Sequence, residues 1–168
     1  MSIFPYYAPR AMVFHSLSIH IHIFYFVDFS PLPEGYKVDS ATLDDAELIT
    51  SMWEYAAGDW TKLMTKYNIG NLSSVAVRTL DGKLVGWELQ HYWCSPGMLQ
   101  VLPEHQGKGL GKYIICIQGR KVLEKGQPLF IHAVMSNTAS IDLHKKCGFW
   151  LMEDTDAHWG YFDPVVVN

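Results

Sequence analysis

The chain is short of positive charge: 13 Lys and Arg stand against 17 Asp and Glu, a formal net charge of −4. A nucleic-acid surface needs a basic face, so that class of partner is excluded. Cysteine is scarce too. Cys94, Cys116 and Cys147 lie far apart, without paired or metal-like spacing, and read as reduced thiols of a cytosolic-type protein. A long apolar run is also missing. Ala11 to Val27 carries His15, His20 and His22 and falls short of the ~20 residues that a membrane span requires. With one Arg10 before it and no small-residue cleavage pattern, it makes a weak secretory signal. The expected location is the cytoplasm, with a mitochondrial address left open, and no membrane partner is expected. His20 and His22 would share one strand face without a third ligand, so no metal site is expected and a zinc-binding role is the weakest reading.

What is present suits one globular domain. A chain of 168 residues is long enough to bury roughly 70% of its unfolded surface. Residues 1–32 differ from the rest and are taken as an apolar, His-containing extension. Ile19-His20-Ile21-His22-Ile23 alternates as a half-buried strand does. An extra strand or irregular cover, a poorly ordered or non-native extension, and a targeting segment all stay open there. Pro31 to Gly35 is a linker, and 33–168 is the domain proper. A short strand at Tyr36–Asp39 precedes a helix capped at Thr42, with Asp45 three residues on. A second helix is expected over Thr61–Tyr67. Ser74–Arg78 and Leu84–Leu89 flank Asp81-Gly82 and read as a hairpin. Apolar strands at Leu99–Val101 and Pro128–Val134, a helix opened by Ser136-Asn137 and closed by Gly148, and strands at Phe149–Met152 and His158–Phe162 complete the pattern.

The stretch from Met98 to Gly111 organises the chain. An apolar strand passes into a turn with glycines at 107, 109 and 111, and a helix follows from Leu110. Such a turn leaves backbone N–H groups pointing outward at a positive dipole end, a seat for an anion. A Walker A loop is excluded, because Lys112 is followed by Tyr113 and no glycine stands six residues before it. A dinucleotide fingerprint fails as well, since its third glycine would fall on Lys112 or Ile114. Gln106-x-x-Gly109-x-Gly111 after a strand does fit one pattern. It resembles motif A (Q/R-x-x-G-x-G/A) of the GCN5-related N-acetyltransferase superfamily. Asn137-x-x-Ser140-x-x-Leu143-His144-Lys145-Lys146-Cys147-Gly148-Phe149 resembles that family's motif B. Leu84-Val85-Gly86-Trp87, with Pro103-Glu104 sixteen residues after the Trp, looks like the glycine N-acyltransferase-like branch.

The resemblance implies an α+β fold. Its central sheet would be mixed but mostly antiparallel, with six to seven strands, a splayed acyl-CoA cleft and about four helices. It implies acetyl-CoA or another acyl-CoA as co-substrate, with no metal. The loop of Gln106, Gly107, Lys108, Gly109, Leu110, Gly111 and Lys112 would hold the pyrophosphate. Leu99 and Val101 would line the pantetheine cleft, with a backbone N–H near Val101 facing the thioester carbonyl. Asn137 would take a pantetheine amide, or else act only as an N-cap. The expected activity is transfer of an acyl group from coenzyme A to a small amine or amino acid. The alternative is a weak or inactive module that binds acyl-CoA. An alkylammonium is about three pKa units too protonated at pH 7, a deficit of roughly 4 kcal/mol, so a base matters. The position matching the glutamate base of glycine-conjugating relatives is Ser95, which cannot serve. Glu88 and His91 are the substitutes, on opposite faces of their strand, and His91 has the better resting pKa. His144 stands where the family commonly has a tyrosine that protonates the departing thiolate; Tyr113 and Tyr161 are the other donors considered.

Overall fold

The computed structural model describes residues 17–24, 31–56, 58–152 and 157–159, with side chains at 31–56, 58–150 and 152. Strand β1 is Leu17–Phe24 and β2 is Tyr36–Asp39. A 3₁₀ turn at Leu43–Asp45 runs into α1 (Ala46–Ser51), and α2 is Gly58–Asn71. The strands β3 (Ser74–Thr79), β4 (Leu84–Gln90) and β5 (Pro96–Val101) follow. Then come α3 (Leu110–Glu124), β6 (Phe130–Val134), α4 (Thr138–Lys146), β7 (Phe149–Leu151) and β8 (Ala157–Trp159).

Local chemistry accounts for the boundaries that matter. Thr42 and Asp45 form a capping box, and the Thr42 amide donates to Asp45 Oδ2 at 2.7 Å. This satisfies amides that a helix start leaves over. The same Asp45 accepts both guanidinium nitrogens of Arg78 on β3, at 3.1 and 2.7 Å. The start of α1 is thereby bolted to the sheet. Burial works to raise the Asp45 carboxyl, but the bonds from Arg78 and Thr42 prevail and hold it below its ordinary value.

The strands divide into two halves. β2-β3-β4-β5 is one antiparallel sheet, and β6-β1-β7 with β8 is the other. Among the described residues every ladder is antiparallel, and none joins β5 to β6. The parallel pairing that would have made the sheet mixed is absent there because the two strands diverge. The alternating segment Ile19–Ile23 is the inner strand of the second half, matched residue for residue with β6 from Ile19↔Val134 to Ile23↔Phe130. On its other edge β7 pairs at His22–Phe24 and β8 at Leu17–Ile19. The two short strands lie end to end and count once across the sheet. Four strands in one half and three positions in the other give a width of seven. The side chains of His20 and His22 lie outside the described residues, as does Tyr161.

Two layers of helix cover the sheet. α1 and α2 pack on one face around Ile49, Met64, Trp87 and Leu89. α3 packs on the other, with Leu110 and Ile114 against Val75, Val77 and Val85. It approaches so closely that a Cβ on Gly86 would stand 2.9 Å from Ile114 Cδ1. Beyond it, Ile115 and Val122 join Ile131, Ala133 and Phe149 under the second half.

Candidate active site

Between β5 and β6 lies a cavity of about 190 Å³. Its walls come from β4 and β5 on one side, β6 and the start of α4 on the other, and the turn after α1. A bulge shapes the β5 wall. Trp87 pairs with Gln100 and Leu89 with Gly97, so three steps on β5 answer two on β4. Met98 and Leu99 together face Glu88, and Met98 is held at φ +56°. Positive φ is unusual for a side chain of this size, and bulges of this kind re-aim side chains beside active sites. Met98 turns into the α1–α2 core and Leu99 packs toward α3. Both line the cavity.

Past the bulge the strand presents its outer edge. The Leu102 amide donates to Val85 O at 2.9 Å, and bonded pairs alternate along an antiparallel ladder. The N–H and C=O of Val101 therefore point away from β4, toward the cleft. Its carbonyl is taken by Gln106 Nε2 at 2.8 Å. Gln106 thus ties the glycine loop to the strand.

The loop itself is open. Gly109 is the N-cap of α3 with φ +84°, a conformation that suits glycine, and a Cβ placed on Gly107 or Gly109 would meet no atom within 4 Å. The first bond of the helix runs from the Tyr113 amide to Gly109 O. The amides of Gly109, Leu110 and Gly111 precede it. Lys108 reaches back from this rim to Tyr36 Oη (3.1 Å) and Glu104 O (3.2 Å). Lys121 lies about three turns further along α3 and bonds Ser74 O at 2.6 Å. It is no part of the loop.

The titratable groups separate sharply. Glu88 is buried, lines the cavity and leaves Oε2 without a hydrogen bond. Burial pushes its carboxyl up to about 8. His91 is buried off the cavity, stacked 4.2 Å from Trp93, with Nδ1 3.5 Å from Asn68 Nδ2. Burial, then the neighbouring His132, bring it down to about 4. The resting pKa that favours His91 in the sequence does not survive folding, because its ring is sealed against Gly97, where a Cβ would stand 2.4 Å from Nε2. His144 lines the cavity, and its Nδ1 lies 2.8 Å from Ser140 O. A carbonyl only accepts, so Nδ1 carries a proton and Nε2 is the nitrogen that can exchange one. Asn137 also lines the cavity and caps α4, with Oδ1 accepting from the Ser140 amide at 3.0 Å. The two roles considered for it use different atoms.

Sequence reasoning missed three features of the wall. One is the bulge, whose extra residue has no mark in the sequence. Another is His132 on β6, which lines the cavity with Nδ1 3.3 Å from Ser95 Oγ. The third is the turn Trp53-Glu54-Tyr55, which closes the far end. Burial lowers the His132 pKa. Ser95 is itself buried and accepts from Trp93 Nε1 at 2.9 Å.

Comparison with known proteins agrees with this geometry. The family model described as FR47-like protein matches residues 62–159. Glycine N-acyltransferase from Rattus norvegicus is 24% identical over 105 residues, 62% of this chain and 36% of that protein. The chain therefore spans little more than a third of the relative it matches. Among solved structures, a Drosophila protein superposes with a TM-score of 0.80 at 21% identity, over 90% of this chain and 52% of that one. A GCN5-related N-acetyltransferase from Kribbella flavida gives 0.60 at 14% identity, over 89% and 59%. At these identities the likeness establishes the fold.

Proposed function

The chain belongs to the FR47-like family of the GCN5-related N-acetyltransferase superfamily, and on that premise we propose that it transfers an acyl group from coenzyme A to a small primary amine. The observation that carries this reading is Glu88: a buried carboxyl with an unpartnered oxygen, lining a cleft between diverging strands, opposite a bulge. Acyl-CoA fits the rest of the cleft. Its diphosphate suits the open amides from Gly109 to Gly111, with Lys108 and Lys112 as cations nearby, and its pantetheine arm suits the outward edge at Leu99–Val101 and the amide of Asn137.

The chemistry then divides among the residues. Glu88 takes the proton of the ammonium, directly or through water, which makes the nitrogen nucleophilic. The nitrogen attacks the thioester carbonyl carbon, and the C–N bond forms. The Val101 N–H supplies a fixed donor for the developing oxyanion, a contribution typically worth a few kcal/mol. As the C–S bond breaks, His144 in its doubly protonated form gives the Nε2 proton to the sulfur, and the second proton lost by the nitrogen as it becomes an amide passes through water to Nε2, restoring it. His91 takes no part.

The test is thiol release from acetyl-CoA over a panel of amines. Glu88→Gln is expected to lower kcat by about 10²–10⁴-fold while leaving the affinity for acetyl-CoA within about twofold. The wild-type rate is expected to rise with pH through about 8, and that limb should vanish in the variant. A limb unchanged by Glu88→Gln would remove this residue from the reaction. A second reading, a module that binds acyl-CoA without turnover, is favoured by Ser95 standing at the position of the relatives' base. Stabilisation by acetyl-CoA with no thiol release from any amine would select it.

A further inference from the structure

The far end of the cavity, beyond the bulge, is the side from which an acceptor must approach, because the coenzyme arm comes from the glycine loop. That end is made by Trp53, Glu54 and Tyr55 in the turn after α1, with Glu88 and His132 deeper in. Its charges have one sign. Glu88 Oε2 is buried and unpartnered. Glu54 is exposed at the mouth and acts on its neighbour: burial first, and then the Glu54 charge, raise the Tyr55 phenol above its ordinary value. Among the described residues of the cavity wall there is neither Lys nor Arg. Its other constituent is aromatic: Trp53 and Tyr55 meet edge to face, with centroids 6.1 Å apart.

We propose that the acceptor is a primary amine on an apolar or aromatic body without a carboxylate, an arylalkylamine rather than an α-amino acid. This inference rests on the transferase reading above. An ammonium is drawn to carboxylates and to the faces of aromatic rings. It is also the class of group that compensates an unpaired buried carboxyl such as Glu88. An amino acid brings the same nitrogen together with a carboxylate. When Glu88 is ionised to serve as the base, the amino acid's carboxylate would meet two like charges, Glu88 and Glu54, with no fixed cation on the described wall to receive it, and like charges so placed disfavour binding strongly. The rat relative is named for glycine; the acceptor end of this chain points to a different partner for the same transfer.

The experiment compares matched pairs that differ only in the carboxylate: phenethylamine against phenylalanine, and methylamine against glycine. Each is assayed above pH 8, where Glu88 is ionised, for thiol release from acetyl-CoA, and for binding to the protein saturated with coenzyme A by calorimetry. In both readouts the amine is expected to exceed its amino acid by about tenfold or more. Glu54→Lys, at an exposed position where folding is not at stake, is expected to narrow the gap by improving the amino acid. Equal or better use of the amino acids by the wild-type protein would overturn the inference and leave the transferase reading intact. Binding of phenethylamine ahead of phenylalanine without thiol release would keep the inference about the seat and overturn the transferase reading instead.

Discussion

Glu88 and His91 lie three residues apart, and burial acts on them in opposite directions. A carboxyl loses water and holds its proton to about pH 8, while an imidazole loses water and sheds its proton until about pH 4. Both residues are visible in the sequence as candidates, and strand alternation places them on opposite faces. What the sequence cannot express is depth. Ranking the two by their free pKa values favours His91; the sealed ring against Gly97 and the cavity beside Glu88 reverse the order. The glycine loop is a different case: its left-handed, open backbone at the start of α3 follows from the glycine spacing, and its proposed role as an anion seat is a separate matter. Gly109→Asp tests it. The new Cβ meets no atom, and φ +84° costs about 1–2 kcal/mol for a side chain. The protein should therefore fold, yet lose acetyl-CoA binding by calorimetry, because a carboxylate then stands among the amides meant for the diphosphate. Unchanged affinity would show that the anion seat lies elsewhere.

Elements were read from periodicity and turn chemistry, and most boundaries followed. Asp81-Gly82 makes its hairpin and Gly148 closes α4 at φ +92°. The bulge escaped, because Met98 is an ordinary strand residue by propensity and only the register with β4 makes it special. The 3₁₀ turn before α1 matters for the site, since the turn after α1 lines the cavity at the end proposed for the acceptor. Asp45 fixes that element through two bonds to Arg78 and one from the Thr42 amide. Asp45→Asn is expected to lower stability by about 1–3 kcal/mol, the range for breaking a buried charge-assisted pair. It should also raise KM for the amine more than KM for acetyl-CoA, which the proposal seats at the other end. A chemical denaturation curve and two KM values check it, and equal changes in both KM values would unlink α1 from the acceptor.

At the scale of the molecule, the order of elements from residue 35 onward was legible, because two motifs at the right separation frame it. The place of residues 17–24 was not. An alternating segment announces a strand but never its neighbours, and here the neighbours lie more than a hundred residues away. Removing residues 1–30 would strip the inner strand from the second half-sheet and leave the facing edges of β6 and β7 bare. Bare edges invite pairing between molecules. The shortened protein is expected to run as an aggregate in gel filtration and to unfold without a sharp thermal transition. A monomer with the melting temperature of the whole chain would mean that β1 adds nothing to the sheet.

The position of β1 also sets a timetable. As the chain leaves the ribosome, Ile19, Ile21 and Ile23 emerge more than a hundred residues ahead of the strands that flank them, which begin at residues 130 and 149. At about 5–20 residues per second, the segment waits roughly 5–25 seconds with its backbone unmatched. The second half-sheet is thus a late, long-range closure, while the meander from β2 to β5 can form from local contacts. Nascent-chain handling, by chaperones that shield greasy segments, becomes a condition for a high yield of the assembled cleft.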